Sequence, residues 1–124
     1  MLILANTFIR VKMSIQPDIE NILIQLDYGV NEAYENQLKE IVNNTNGFFD
    51  FAKHIFTLND ELKRLNAIVA MSNSNSYLKI KSNSTDPLKI EEFNEVVKKW
   101  ASKYKLELKK VENKNTYYIL GKKS

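Results

Sequence analysis

The apolar residues of this 124-residue chain change their spacing once, around Ser72–Ser76, and that change bounds the fold. Before it, Phe51, Ile55, Leu58, Leu62, Leu65 and Val69 recur at intervals of 4, 3, 4, 3 and 4 residues. Such spacing holds side chains on one side of an α-helix. After it, Tyr77-Leu78-Lys79-Ile80-Lys81 alternates apolar with basic residues, the pattern of a strand with one face buried. A chain that carries the two periods in separate stretches is predicted to be α+β, and its length fits a single domain over residues 1–124.

The helical part is expected over residues 13–72. Pro17 opens a pattern in which Ile19, Ile22, Leu23 and Leu26 share a face, since proline in a first turn loses no helical hydrogen bond. Gly29 interrupts it, and Val30, Ala33, Leu38, Ile41 and Val42 resume it. One broken helix or two short ones therefore cover about 17–43. Asn43-Asn44-Thr45-Asn46-Gly47 ends this stretch with residues that tolerate left-handed backbone. The seam from Phe51 to Val69 predicts a second long helix, with Thr57, Asn59 and Asp60 offering a cap for a restart near 57–59. The short connection favours an antiparallel helical hairpin.

Residues 72–76 read as a polar linker, and residues 77–124 as β-α-β-β. Asp86-Pro87 is an N-cap followed by proline at the first helical position. Ile90, Phe93, Val97, Trp100 and Tyr104 form the buried stripe of the helix that follows. Lys105–Val111 and Thr116–Leu120 are predicted strands about a polar turn at 112–115. The expected architecture is an N-terminal helical hairpin packed on a small, mainly antiparallel sheet. Residues 2–11 are a further candidate edge strand, and Met13 a second candidate start.

Composition narrows the chemistry. There is no cysteine and a single histidine, His54, so disulfides, thiolate catalysis and cysteine-bound zinc are excluded. The three glycines, at 29, 47 and 121, stand alone and form no phosphate-binding loop. His54 has Asp50 four residues before it, but no nucleophile or third group accompanies them, and a surface helix histidine is the simpler reading. No cofactor or metal is expected. No apolar run reaches the roughly 18 residues of a membrane helix. Met1–Lys12 lacks the basic start and cleavage pattern of a signal peptide. Those features lead us to expect a cytoplasmic protein without a membrane partner.

Charge is segregated. Residues 1–76 hold six bases and nine acids, whereas residues 77–124 hold twelve lysines and six acids. If Leu78, Ile80, Leu106 and Leu108 face the core, then Lys79, Lys81, Lys105 and Lys109 share the opposite face with Tyr77, Glu107 and one of Tyr117 or Tyr118. Of these two we assign Tyr118. Ammonium groups beside tyrosine rings suit single-stranded nucleic acid, although Glu107 interrupts the patch and arginine is absent from this third. The same lysines equally serve to keep strand edges from aggregating. The wide apolar arc of Phe48, Phe51, Ile55, Leu58, Leu62 and Leu65 points instead to burial partly at a homodimer interface or against another protein. The sequence is therefore read as a non-enzymatic interaction or adaptor protein that self-associates, with nucleic-acid binding by the basic third as the alternative.

Overall fold

A computed structural model describes residues 18–123. The expectations placed on Pro17 and on residues 2–11 lie outside the described residues. Four α-helices and a four-stranded antiparallel sheet make an α+β fold, with helices first in sequence and strands mostly last. Helix α1 spans Ile19–Gln25, α2 Glu32–Asn44 and α3 Phe48–Leu62. A 3-10 turn, Lys63–Leu65, leads into β1, Ala67–Met71. Then come β2 Leu78–Ser82, α4 Pro87–Lys103, β3 Leu106–Lys110 and β4 Thr116–Lys122.

Local chemistry places most of these boundaries. Asp18 and Asn31 cap α1 and α2, each side chain accepting a hydrogen bond at 2.8 Å from the N–H three residues on. Asp86 caps the start of α4 by accepting the Leu88 N–H, two residues on, at 3.0 Å, with Pro87 beside it. Of the two alternatives for about 17–43, one broken helix or two short ones, the structure has two helices. Their junction is Leu26–Asn31, where Asp27 adopts a left-handed φ of 65°.

The stretch from Phe51 to Val69 departs from expectation. The helix does not restart near 57–59 but runs on to Leu62, and Val69 belongs to a strand. Leu65 and Val69 are four apart, a spacing that fits a helical face and a strand face equally well. Asn66, at a left-handed φ of 57°, turns the chain between the two. Asn59, considered above as a cap, is buried, and its Oδ1 accepts the Val69 N–H at 2.9 Å. The polar stretch 72–76 is accordingly the loop of the β1–β2 hairpin rather than a linker. There Ser72 Oγ accepts the Ser74 and Asn75 N–H groups.

The strand order is β1-β2-β4-β3. Helix α4 connects β2 to β3, and the β3–β4 hairpin returns β4 into the gap between them. Val69, Met71, Leu78, Ile80, Leu106, Tyr117 and Ile119 line the inner face and join one core with the helices. Helix α3 packs on β1, and α4 packs on β2 and β3. Full burial of each such aliphatic or aromatic side chain stabilises by about 1.5–3 kcal/mol. The second tie between layers is polar. Asn46, between α2 and α3, receives the Lys122 N–H at 2.8 Å and donates its own N–H to the Leu120 carbonyl at 3.3 Å. Its side-chain Nδ2 donates to the Lys122 carbonyl at 2.9 Å.

Gly121 makes that junction feasible, because its φ is 127° and a Cβ there would lie only 2.4 Å from the Asn46 nitrogen. Gly121→Ala should therefore lower unfolding free energy by about 2–4 kcal/mol in a denaturant titration. Gly29→Ala, with nothing within 4 Å, should shift it by no more than about 0.5 kcal/mol. Trp100 is buried on α4, and its Nε1–H donates to the His54 carbonyl at 3.0 Å. Trp100→Ala should cost about 3–5 kcal/mol. Trp100→Phe, which mainly removes the hydrogen bond, should cost about 1 kcal/mol. Both are read from denaturant midpoints.

Candidate functional site

The helices cover one face of the sheet, and the opposite face gathers the lysines. In β2, Leu78 and Ile80 point into the core, so Lys79 and Lys81 point away. The register then builds a row across all four strands. Ala70 pairs with Lys79, Lys79 with Tyr118, and Tyr118 with Lys109. Beside it, Ile68 pairs with Lys81 and Lys81 with Thr116. Tyr118, on the central strand β4, is thus flanked by an ammonium-bearing residue on either side. Tyr77 lies nearby, its ring centroid 6.1 Å from that of Tyr118.

A cleft of about 350 Å³ opens along this face. Lys79, Lys81 and Lys114 supply its charge, Tyr118, Ser74 and Thr116 supply hydroxyls, and no carboxylate of the described residues lines it. Lys114 and Asn115 come from the β3–β4 turn, which alternation arguments could not place because turn residues have no strand parity. None of Lys79, Lys81, Lys109 and Lys114 forms an ion pair among the described residues.

The phenol of Tyr118 is the most perturbed group here. Asn75 Nδ2 donates to its oxygen at 3.0 Å, and Ser74 Oγ lies 3.3 Å away. Hydrogen bonds from Ser74, Asn75 and Ser72 favour the phenolate, and the Lys79 ammonium adds to them, lowering the pKa to about 8. The hairpin loop that supplies these donors is itself held by α2. Gln37 Nε2 donates to the Ser72 carbonyl at 3.1 Å and Asn44 Nδ2 to the Ser76 carbonyl at 3.0 Å.

Two predicted members leave the patch. Lys105 sits after α4 with a left-handed φ of 55°, and it lines a different groove between α4 and the β3 edge. Glu107 lines that groove too, so it does not sit at the centre of the lysine face. A register shift between Glu107 and Leu108 is the cause, because it breaks the simple alternation along β3.

The apolar seam is also reassigned. Phe48, Phe51, Ile55, Leu58, Leu62 and Leu65 are each at most 3% exposed within the single chain. Strand β1 and helix α2 pack on α3, so these side chains are already buried without a second copy. The arc is too wide for a two-helix hairpin because it also packs on β1 of the sheet.

His54 and Asp50 do not come together. Asp50 Oδ2 is 3.4 Å from Lys122 Nζ, while the His54 ring stacks on Tyr104 with centroids 3.7 Å apart and planes 11° from parallel. Burial, then Lys53 and Lys103, hold the imidazole below its usual pKa. No group of three or more metal-ligating side chains occurs among the described residues. No helix described is long and apolar enough to cross a membrane.

Comparison with protein-family models, curated proteins and solved structures found no match to this chain.

The Tyr118 environment is open to direct measurement. In an ultraviolet phenolate titration, one of the six tyrosines should ionise near pH 8, about two units below the ordinary 10.0. Tyr117, raised by burial, should ionise late. Replacing both Ser74 and Asn75 with alanine should return the early step towards 10.0.

Proposed function

We propose that this protein is a non-enzymatic binding module whose open sheet face takes a single-stranded nucleic acid. The observation that carries this reading is the row Lys79–Tyr118–Lys109 across neighbouring strands, beside a cleft that holds three lysines and, among the described residues, no carboxylate. Lysines at alternate positions of one strand stand about 6.5–7 Å apart, and neighbouring strands are about 4.8 Å apart. A backbone crossing β2 and β4 would thus meet several ammonium groups. An aromatic ring between them gives a base a surface to stack on, which is indifferent to base identity. Without arginine on this face, contacts would be point charges rather than bidentate grips. The proposed ligand is therefore bound with strong salt dependence and little sequence preference.

The test is fluorescence anisotropy with a mixed-sequence oligonucleotide of about 12 residues, from about 50 to about 200 mM salt. Binding should weaken linearly on a log–log plot. The paired substitutions Lys79→Gln and Lys81→Gln should reduce the slope by about 1.4, at about 0.7 per contact. Tyr118→Ala should cost about 1–3 kcal/mol, with Tyr118→Phe close to wild type. Lys89→Gln, on exposed α4 surface, serves as the control. Absence of binding at the lowest salt, or binding indifferent to Lys79 and Lys81, would refute the reading.

A further inference from the structure

The two edges of the sheet are treated differently. On β1, Asn59 Oδ1 takes the Val69 N–H and Tyr28 Oη takes the Met71 N–H, both at 2.9 Å. Side chains from the helical layer thus occupy that edge, and another strand cannot pair there without displacing them. On β3 there is no such cap among the described residues. The Val111 N–H donates to the Thr116 carbonyl at 2.9 Å, and the Lys123 N–H to the Lys105 carbonyl at 3.0 Å. These bonds tie the two ends of β3 to β4, with the register shift between them. Strand β3 is the last of the sheet and pairs with β4 alone, so the backbone groups on its other side face outward.

Alongside this open edge runs a groove of about 470 Å³ between β3 and α4. Its apolar floor is Ala101, Leu106 and Leu108. Lys98, Lys105, Lys110 and Lys123 surround it, against Glu107 as the one acid of the lining. The Lys110 ammonium is turned to the Lys114 carbonyl at 3.0 Å, which leaves three lysines to face a ligand. Lys105 holds a left-handed conformation in which a glycine is the more stable residue.

We propose that this edge binds an extended acidic peptide of another protein by strand addition. Outward N–H and carbonyl groups that alternate along an edge are matched by another strand. Side chains of that strand alternate, so every second one would enter the groove, where the floor takes an apolar group and the rim takes carboxylates. A second copy of this chain does not suit the edge. Pairing β3 with β3 would bring two sets of the same lysines together, and like charges oppose such a contact.

The probe is a fluorescent peptide of about eight residues alternating glutamate and valine, a length typical of a strand. It should bind the intact protein, and its lysine–valine counterpart should not. Methylating alternate backbone nitrogens on the edge-facing side of the probe should abolish binding, because strand pairing needs those N–H groups. Lys105→Gly combined with Lys123→Gln should weaken binding roughly tenfold. Lys105→Gly alone should raise the melting temperature, which separates lost affinity from lost folding. Lys79→Gln with Lys81→Gln, on the other face, should leave peptide binding unchanged. No binding of the acidic probe at low salt, or binding indifferent to the methylated nitrogens, would overturn the proposal. So would binding that the outer-face substitutions weaken as much as those at the edge.

Discussion

Strand β4 sets the register for both layers. It lies between β2 and β3, and beyond the end of its pairing with β2 its backbone is taken up by Asn46. A main-chain bridge of this kind leaves little room for adjustment. It fixes where the α2–α3 turn meets the sheet, and so which residues of α3 lie over β1. Gly121 carries the cost, with a backbone conformation that other residues rarely adopt. Once the turn is docked, the seam of α3 meets the inner face of the sheet and the apolar burial follows. The polar contact adds little net energy by itself, about 0.5–1.5 kcal/mol per hydrogen bond, but it specifies which of many greasy arrangements is adopted.

With one face of the sheet buried, alternation sends every second residue of β2 and β4 outward, and the lysines go with them. Three ammonium groups about one cleft, unpaired among the described residues, repel each other, and folding is less favourable for it. Within a Debye length of about 8 Å at physiological salt, that repulsion is only partly screened. A polyanion would relieve it, which is the physical content of the functional reading. The lowered pKa of Tyr118 reports the same environment, together with the donors of the 72–76 loop. The two proposed surfaces differ in kind. One is a sheet face offering charge and a ring, and the other is a sheet edge offering backbone hydrogen bonds.

Much of this was readable from residue spacing, and the misreadings have definite causes. The caps Asp18, Asn31 and Asp86 follow from the stereochemistry of helix starts, of which the Asp86-Pro87 start was anticipated. The α4 stripe through Phe93, Val97 and Trp100 was likewise legible, because a 17-residue helix repeats its period several times. Strand β1 was missed because Ala67–Met71 is short and its apolar residues continue a helical rhythm from α3. That single omission produced two others. It left the α3 seam without a visible covering surface, and it made the Ser72–Ser76 loop look like a linker. On β3 a register shift breaks the alternation at Glu107, and Lys105 precedes the strand with a left-handed backbone, so neither follows the face that alternation assigned.

Local stereochemistry and hydrophobic period act within a few residues of each other, so the class of fold, the Asp86-Pro87 helix start, most of the core and the outward set Lys79, Lys81 and Lys109 could be had from the chain alone. Strand order, the place of Asn46 against Gly121, the gathering of Lys114 with Tyr118, and the contrast between a capped and an open sheet edge depend on residues far apart in sequence. Those pairings are decided by which distant backbone groups find partners once the core has formed. No spacing rule reaches across such distances, because it sees only the neighbours of each residue along the chain.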